Sequence, residues 1–233
     1  MRILALDTAT PDLVTGVVDA ASGAVEENVI EDTRLLSEQL MPAIEKVTGN
    51  QHRDGYEGIE AIAVGVGPGP FTGLRVGMAT ASALGQALSI PVHGVCTHDA
   101  VAYAVAHAIA ADTTDATLLV ATDARRKEIY FATYRIEAGQ VTRMQEPGVV
   151  RPEELQVDSP VDLISIPEHL IERLPAHLRD VKTLHQRPTA AGLVAAADLD
   201  AQPAPLVPLY LRRPDAKEPA AKPRSAAIPE VEL

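Results

Sequence analysis

Residues 59–66 have the apolar character of a buried strand, and residues 67–70 alternate Gly with Pro. From Phe71 or Thr72 a pattern of small and apolar residues then runs at helical spacing to about residue 88. A strand that passes within four residues into a helix demands an α/β layer arrangement, with the helix folded back over a sheet. The loop itself admits two readings. Glycines let a backbone approach closely, and a helix N-terminus offers free N–H groups, so Gly67, Gly69 and Thr72 fit a phosphate cradle. The nucleotide-binding loop with Gly-Lys-Ser/Thr is absent, because Gly73 is followed by Leu74. The other reading is a tight connection that seats the helix on the sheet, with Thr72 as the expected N-cap.

The helix after the loop carries Gly73, Gly77, Ala81 and Gly85 four residues apart on one face, and Ala79, Ala83 and Ala87 on a second. Glycine inside a helix costs about 1 kcal/mol relative to alanine, so its use implies a close backbone approach. The approaching element is either the chain's own sheet or a helix of a partner subunit packed at short distance.

The rest of the chain fits the same layered scheme. Residues 2–6 read as a buried strand ending at Asp7, and 13–20 and 24–30 as a hairpin pair turning at Ser22-Gly23. Leu36, Leu40, Ile44 and Val47 recur at helical spacing over 36–48, with Pro42 expected to kink that helix or to delay its regular part. Residues 51–57 read as a loop, 90–95 as a strand and 99–111 as a helix. A second half begins with a strand over 117–122 that again ends in Asp, here Asp123, followed by alternating strands at 128–135 and 140–145. Strand, Asp, strand, turn and strand thus occur twice. A strand over 161–165 and helices near 167–174 and 190–198 follow, with 206–211 expected to dock as a strand. The expected organisation is a first lobe over 1–104, rejoined by 206–213, a smaller second lobe over 105–205, and a Pro-rich tail over 214–233 expected to be disordered.

Composition narrows the function classes. The net charge is −12, so the surface is a poor lone partner for nucleic acid. A single cysteine, Cys96, excludes a disulfide framework and fits a reducing compartment. No apolar run approaches the length of a membrane span, and no secretory leader is read, so a cytoplasmic location is expected. The seven histidines show no His-x-x-x-His or His-Glu-x-x-His spacing, no metal ligand set is read, and no Gly-x-Ser-x-Gly elbow occurs. His93 and His98 flank Cys96 without forming a recognisable ligand set. Asp7-Thr8-Ala9-Thr10 stands where actin-like and sugar-kinase ATPases place groups that meet phosphate or magnesium, with Ala9 where glycine would help. Asp7, Thr8 and Thr10 therefore join Gly67, Gly69 and Thr72 as candidate nucleotide or phosphate ligands. Arg125 and Arg126, after Asp123, are candidates for an anion in the second half.

The segments MRILALDTAT, GVGPGPFTGLRVGMATASALG, IPVHGVCTHDAVA, TDARRKEIYFATY and VPLYLRR, in that order, resemble the signature segments of the TsaB (YeaZ) family. The resemblance covers residues 1–135 and returns at 206–213. It implies an α/β, actin-like (ASKHA, ribonuclease H-like) two-lobed fold and an inactive relative of the catalytic subunit TsaD. It places the two metal ligands of TsaD at Thr97 and Val101, neither of which suits a metal. The implied role is a non-catalytic partner subunit in the transfer of threonylcarbamoyl to N6 of adenosine 37 of tRNAs that read ANN codons. The implied partners are TsaD as a heterodimer and the ATPase TsaE, with a homodimer when alone and tRNA met only through the complex. No cofactor of its own is expected, since ATP and metal belong to the partners. The family's partner contact lies on the first two long helices, which here implies Leu36, Leu40, Ile44, Gly73, Val76, Gly77, Thr80, Ala81 and Leu84. The alternatives from other classes are an actin-fold ATPase or kinase using the phosphate candidates, and a metallopeptidase of the kind once assigned to TsaD relatives.

Overall fold

The structure, a computed structural model, describes residues 1–49, 53–113 and 115–212. The expected tail over 214–233 lies outside the described residues, as do Arg213, His52 and the start of the 51–57 loop.

Three consecutive strands form an antiparallel meander, β1 (Arg2–Asp7), β2 (Leu13–Asp19) and β3 (Val25–Ile30), with Gly23 at positive φ in the turn. Helix α1 (Leu36–Thr48) follows, then a short 3₁₀ turn at Arg53–Tyr56, strand β4 (Ile59–Gly65), helix α2 (Phe71–Leu88), strand β5 (Val92–Val95) and helix α3 (Thr97–Ile109). The sheet order is β3-β2-β1-β4-β5, with β4 parallel to both β1 and β5. The second half repeats this plan. Strands β6 (Asp115–Asp123), β7 (Ile129–Glu137) and β8 (Gln140–Val150) form a meander, and β9 (Leu163–Ser165) and β10 (Lys182–Leu184) add in parallel beside β6. Read from β8, the order β8-β7-β6-β9-β10 is that of the first sheet. The recurrence of strand, Asp, strand, turn and strand in the sequence is thus a duplicated architecture. The fold is α/β, actin-like and two-lobed.

Helices α1 and α2 share one face of the first sheet. Leu40, Ile44 and Val47 of α1 and Leu74, Met78 and Ala81 of α2 join Leu4, Leu6, Ile62 and Val64 in one buried cluster. The opposite face takes α6 (Ala190–Ala196) and the start of α3, through Ala100, Ala190 and Leu193 against Ile3, Ala5 and Ala63. The remainder of α3 turns Val101, Val105 and Ile109 onto Leu118, Val120 and Tyr134 of the second sheet. Short helices α4 (Glu168–Ile171) and α5 (Ala176–Arg179) cover the far face of that sheet. Helix α3 is therefore a wedge shared by both lobes, and the boundary read at residue 104 falls inside it. Helix α6, which lies within the span read as second lobe, packs on the first sheet.

Several local expectations change. Helix α1 continues through Pro42 because that residue is exposed, so the carbonyl that loses its donor faces water. Helix α2 begins at Phe71 with Pro70 as N-cap and no side-chain cap, so Thr72 is an exposed first-turn residue and not the cap. Residues 206–211 hold no strand; they dock on the first lobe with the Leu209 amide donating to the Val66 carbonyl at 2.8 Å. No helix among the described residues is long and apolar enough to cross a membrane.

Candidate functional site

The parallel register brings three strand ends together. Leu6 pairs with Val64 and Gly65 with Val95, so Asp7 at the end of β1, the loop after Gly65 and the first turn of α3 converge at one point. In open α/β sheets such carboxyl ends are where ligands bind. Here Asp7 is fully buried. Its Oδ1 accepts from the Ala9 amide at 2.8 Å, and its Oδ2 accepts from the Thr97 hydroxyl at 2.6 Å. Burial pushes its carboxyl up to about 6, and the hydrogen bonds from Thr97 and Ala9 offset only part of that rise. Gly65 is required beside it: a Cβ there would stand 1.8 Å from Asp7 Oδ2.

The other phosphate candidates are held by the chain's own groups. Thr8 is buried and donates its hydroxyl to the Gly73 carbonyl at 2.7 Å. Thr10 is half-buried, with its hydroxyl closing a local turn on Asp12. Gly67, at φ 106, is buried, and its carbonyl accepts from the Thr97 amide at 2.7 Å. Gly69 is buried, and a Cβ on it would lie 2.2 Å from the Ala9 carbonyl oxygen. Thr72 alone of the six is exposed. The Gly/Pro loop therefore clasps the β1–β2 turn backbone to backbone. These contacts match the tight-connection reading of the loop.

The small-residue stripe of α2 faces inward for the same reason. A Cβ on Gly73 would lie 2.2 Å from the Thr8 carbonyl, one on Gly77 would lie 2.3 Å from Thr8 Oγ1, and one on Gly85 would lie 2.2 Å from Val92 Cγ2. Ala81 is buried with them, as are Leu40 and Ile44 of α1. These five expected interface residues, Leu40, Ile44, Gly73, Gly77 and Ala81, thus belong to the lobe's own interior, which corrects the sequence-based expectation. Helix α2 needs glycine because it lies on the end of β1 and its turn. Leu36, Val76, Thr80 and Leu84 remain half-buried at the surface. The outer faces of the two helices present Met41, Phe71, Arg75, Ala79, Ala83 and Ala87, with Leu35 just before α1.

Sequence reasoning missed the polar residues that open α3. His98 is fully buried; its Nε2 pairs with Thr122 Oγ1 at 2.9 Å across the lobes, and Nδ1 has no hydrogen-bond partner among the described residues. Burial, with a contribution from the Arg143 charge, pushes this imidazole down to about 3, so it is neutral. Asp99 accepts from the Tyr134 hydroxyl at 2.8 Å and from Arg143 Nε at 3.0 Å, and a second, short contact links it to Arg143 Nη2. Burial opposes the Arg143 charge, yet the Asp99 hydrogen bond and charge hold its pKa above the usual range. Burial and then the Asp99 charge push the Cys96 thiol up to about 12, which leaves it an inert thiol. The signal for this cluster was present as Thr-His-Asp directly after a strand end, at a helix start. Thr97 is committed to Asp7, and Val101 lies in the apolar core. Asp123, the counterpart of Asp7, is half-exposed; it accepts from the Arg125 amide at 2.6 Å and faces His169 Nε2 at 3.6 Å.

Comparison with known proteins agrees with this geometry. The family model described as TsaD, tRNA N6-adenosine threonylcarbamoyltransferase, matches residues 25–168. An uncharacterized protein of Mycobacterium bovis is 42% identical over 217 residues, which is 92% of this chain and 93% of the relative. One of Mycobacterium leprae is 43% identical over 221 residues, and there the match spans 56% of the longer relative. The Escherichia coli protein named tRNA threonylcarbamoyladenosine biosynthesis protein TsaB is 31% identical over 157 residues, 66% of this chain and 64% of that protein. Among solved structures, YeaZ from Pseudomonas aeruginosa shares the fold with a TM-score of 0.68 at 24% identity, covering 84% of this chain and 89% of that one.

Proposed function

Because the chain belongs to the TsaB (YeaZ) family of tRNA threonylcarbamoyladenosine biosynthesis proteins, we propose that it serves that biosynthesis as a non-catalytic subunit that docks a TsaD-type transferase. The observation that carries this reading is the outer face of the α1–α2 pair. Met41 and Leu35 are 39% and 49% exposed, and Ala79, Ala83 and Ala87 are exposed on α2. Exposed apolar groups beside small residues let a second helix pair approach closely and bury apolar surface. The inward stripe supports the reading indirectly, because Gly73 and Gly77 seat α2 rigidly on the sheet and fix the outer face for docking.

In this reading the reaction takes place in the partner. Five of the six phosphate candidates, Asp7, Thr8, Thr10, Gly67 and Gly69, are engaged by the chain's own groups, which supports a subunit that supplies a surface and not a reaction centre. TsaE and tRNA meet this chain only through the assembled complex. Two experiments test the proposal. Depletion of the chain from its host lowers threonylcarbamoyladenosine in bulk tRNA; unchanged levels would overturn the assignment. Ala83→Trp, on the exposed face, blocks capture of the TsaD relative while the melting temperature stays within a few degrees. Full capture by that variant would move the docking surface elsewhere.

A further inference from the structure

The segment over residues 206–212 crosses from one lobe to the other. Leu206 packs against the first core cluster, and Leu209 donates its amide to the Val66 carbonyl at 2.8 Å. Tyr210 stacks on Phe71 at 5.2 Å between ring centroids and accepts from Arg75 Nε at 3.2 Å, while the Arg75 guanidinium lies 3.9 Å over the Phe71 ring. Two residues on, Arg212 pairs with Glu128 and donates to the Arg125 carbonyl at 3.3 Å, both in the β6–β7 turn of the second lobe.

That turn requires holding. Arg125, Arg126 and Lys127 have φ of 60°, 53° and 65°, three successive non-glycine residues in the left-handed region, a conformation that L-residues adopt singly. Such a backbone persists only where its surroundings fix it. Asp123 accepts the Arg125 amide, Arg173 donates to the Lys127 carbonyl at 2.8 Å, and Arg212 holds the Arg125 carbonyl. Of these three restraints, only Arg212 is anchored in the other lobe.

We infer that residues 206–212 act as an interlobe strap, which fastens the exposed N-terminal end of α2 to the left-handed β6–β7 turn so that the two surfaces hold or loosen together. This goes beyond the docking proposal and is tested without any partner. The assay is amide hydrogen exchange on the full chain, read residue by residue. Glu128→Gln cuts the strap from the turn. It speeds exchange of the Leu209 amide, whose bond is made to the first lobe, by tenfold or more. Tyr210→Ala cuts the strap from α2 and speeds exchange of the Ala124 and Glu128 amides by a comparable factor, since coupling between two sites is reciprocal. These two amides close the turn on the Glu128 and Arg125 carbonyls, each at 3.0 Å. Amides of the β1–β4 ladder stay slow in both variants and report an intact fold. Arg212→Gln removes the same ion pair from the strap side and gives the Glu128→Gln pattern. Faster exchange confined to the altered end, or at neither end, overturns the inference.

Discussion

Asp7 offers the sharpest test of the physics of the site. It is a fully buried carboxyl whose charged form has two hydrogen-bond donors and, among the described residues, no ion-pair partner. Its pKa rises from an ordinary 3.8 to about 6, with burial as the leading cause. At about 1.4 kcal/mol per unit, that rise corresponds to roughly 3 kcal/mol lost when the group ionises in the folded chain. The sign follows from proton counting. Between pH 4 and 6 the unfolded chain has released this proton and the folded chain retains it, so stability falls as pH rises through that window and is flat above it. Asp7→Asn removes the titration while keeping an acceptor for the Ala9 amide and a polar partner for Thr97. Urea unfolding of both proteins at pH 4 and pH 7.5 isolates the effect, because the other carboxylates cancel in the difference. The variant should gain about 2–3 kcal/mol on the native protein between the two pH values, on top of any constant offset from the altered hydrogen bonds. A stability difference that does not change with pH would refute the account of a carboxyl held against its solvation.

Gly77→Ala drives a methyl to 2.3 Å from Thr8 Oγ1, and overpacking outweighs the gain in helix propensity, for a net loss of about 1–2 kcal/mol seen as a lower urea midpoint; an unchanged midpoint means that α2 stands off the β1–β2 turn. His98 remains neutral at every pH above about 4, so its ring resonances in NMR do not shift between pH 8 and pH 5; a titration near 6.5 contradicts its burial between the lobes.

The first lobe was readable because its signals are local. The apolar runs before Asp7 and Gly65 set two buried strands, and the spacing of Leu36, Leu40 and Ile44 set helix α1 at its observed bounds, Leu36–Thr48. The duplication at Asp7 and Asp123 announced two sheets of one plan. What the sequence left open was direction. A stripe of Gly73, Gly77 and Ala81 announces a close approach, but a strand end of the same chain and a partner helix make the same demand on a helix face. The inward answer came from Thr8, which lies sixty-five residues away from Gly73 in the chain. The pairing of His98 with Thr122 and of Asp99 with Tyr134 and Arg143 depends on the placement of α3 between the lobes, which no local pattern encodes. The strap was legible only as a returning segment, since its contacts with Val66, Arg75 and Glu128 are all distant in sequence.

The central claim is that the outer face of α1 and α2 receives a TsaD-type subunit. Its most direct test is the light-scattering mass of this chain mixed in equal amounts with the TsaD relative of the same organism. The account predicts a single species with the summed mass of one copy of each, reverting to separate species when Ala83→Trp replaces the native chain. Two unmixed species from the native proteins would contradict it.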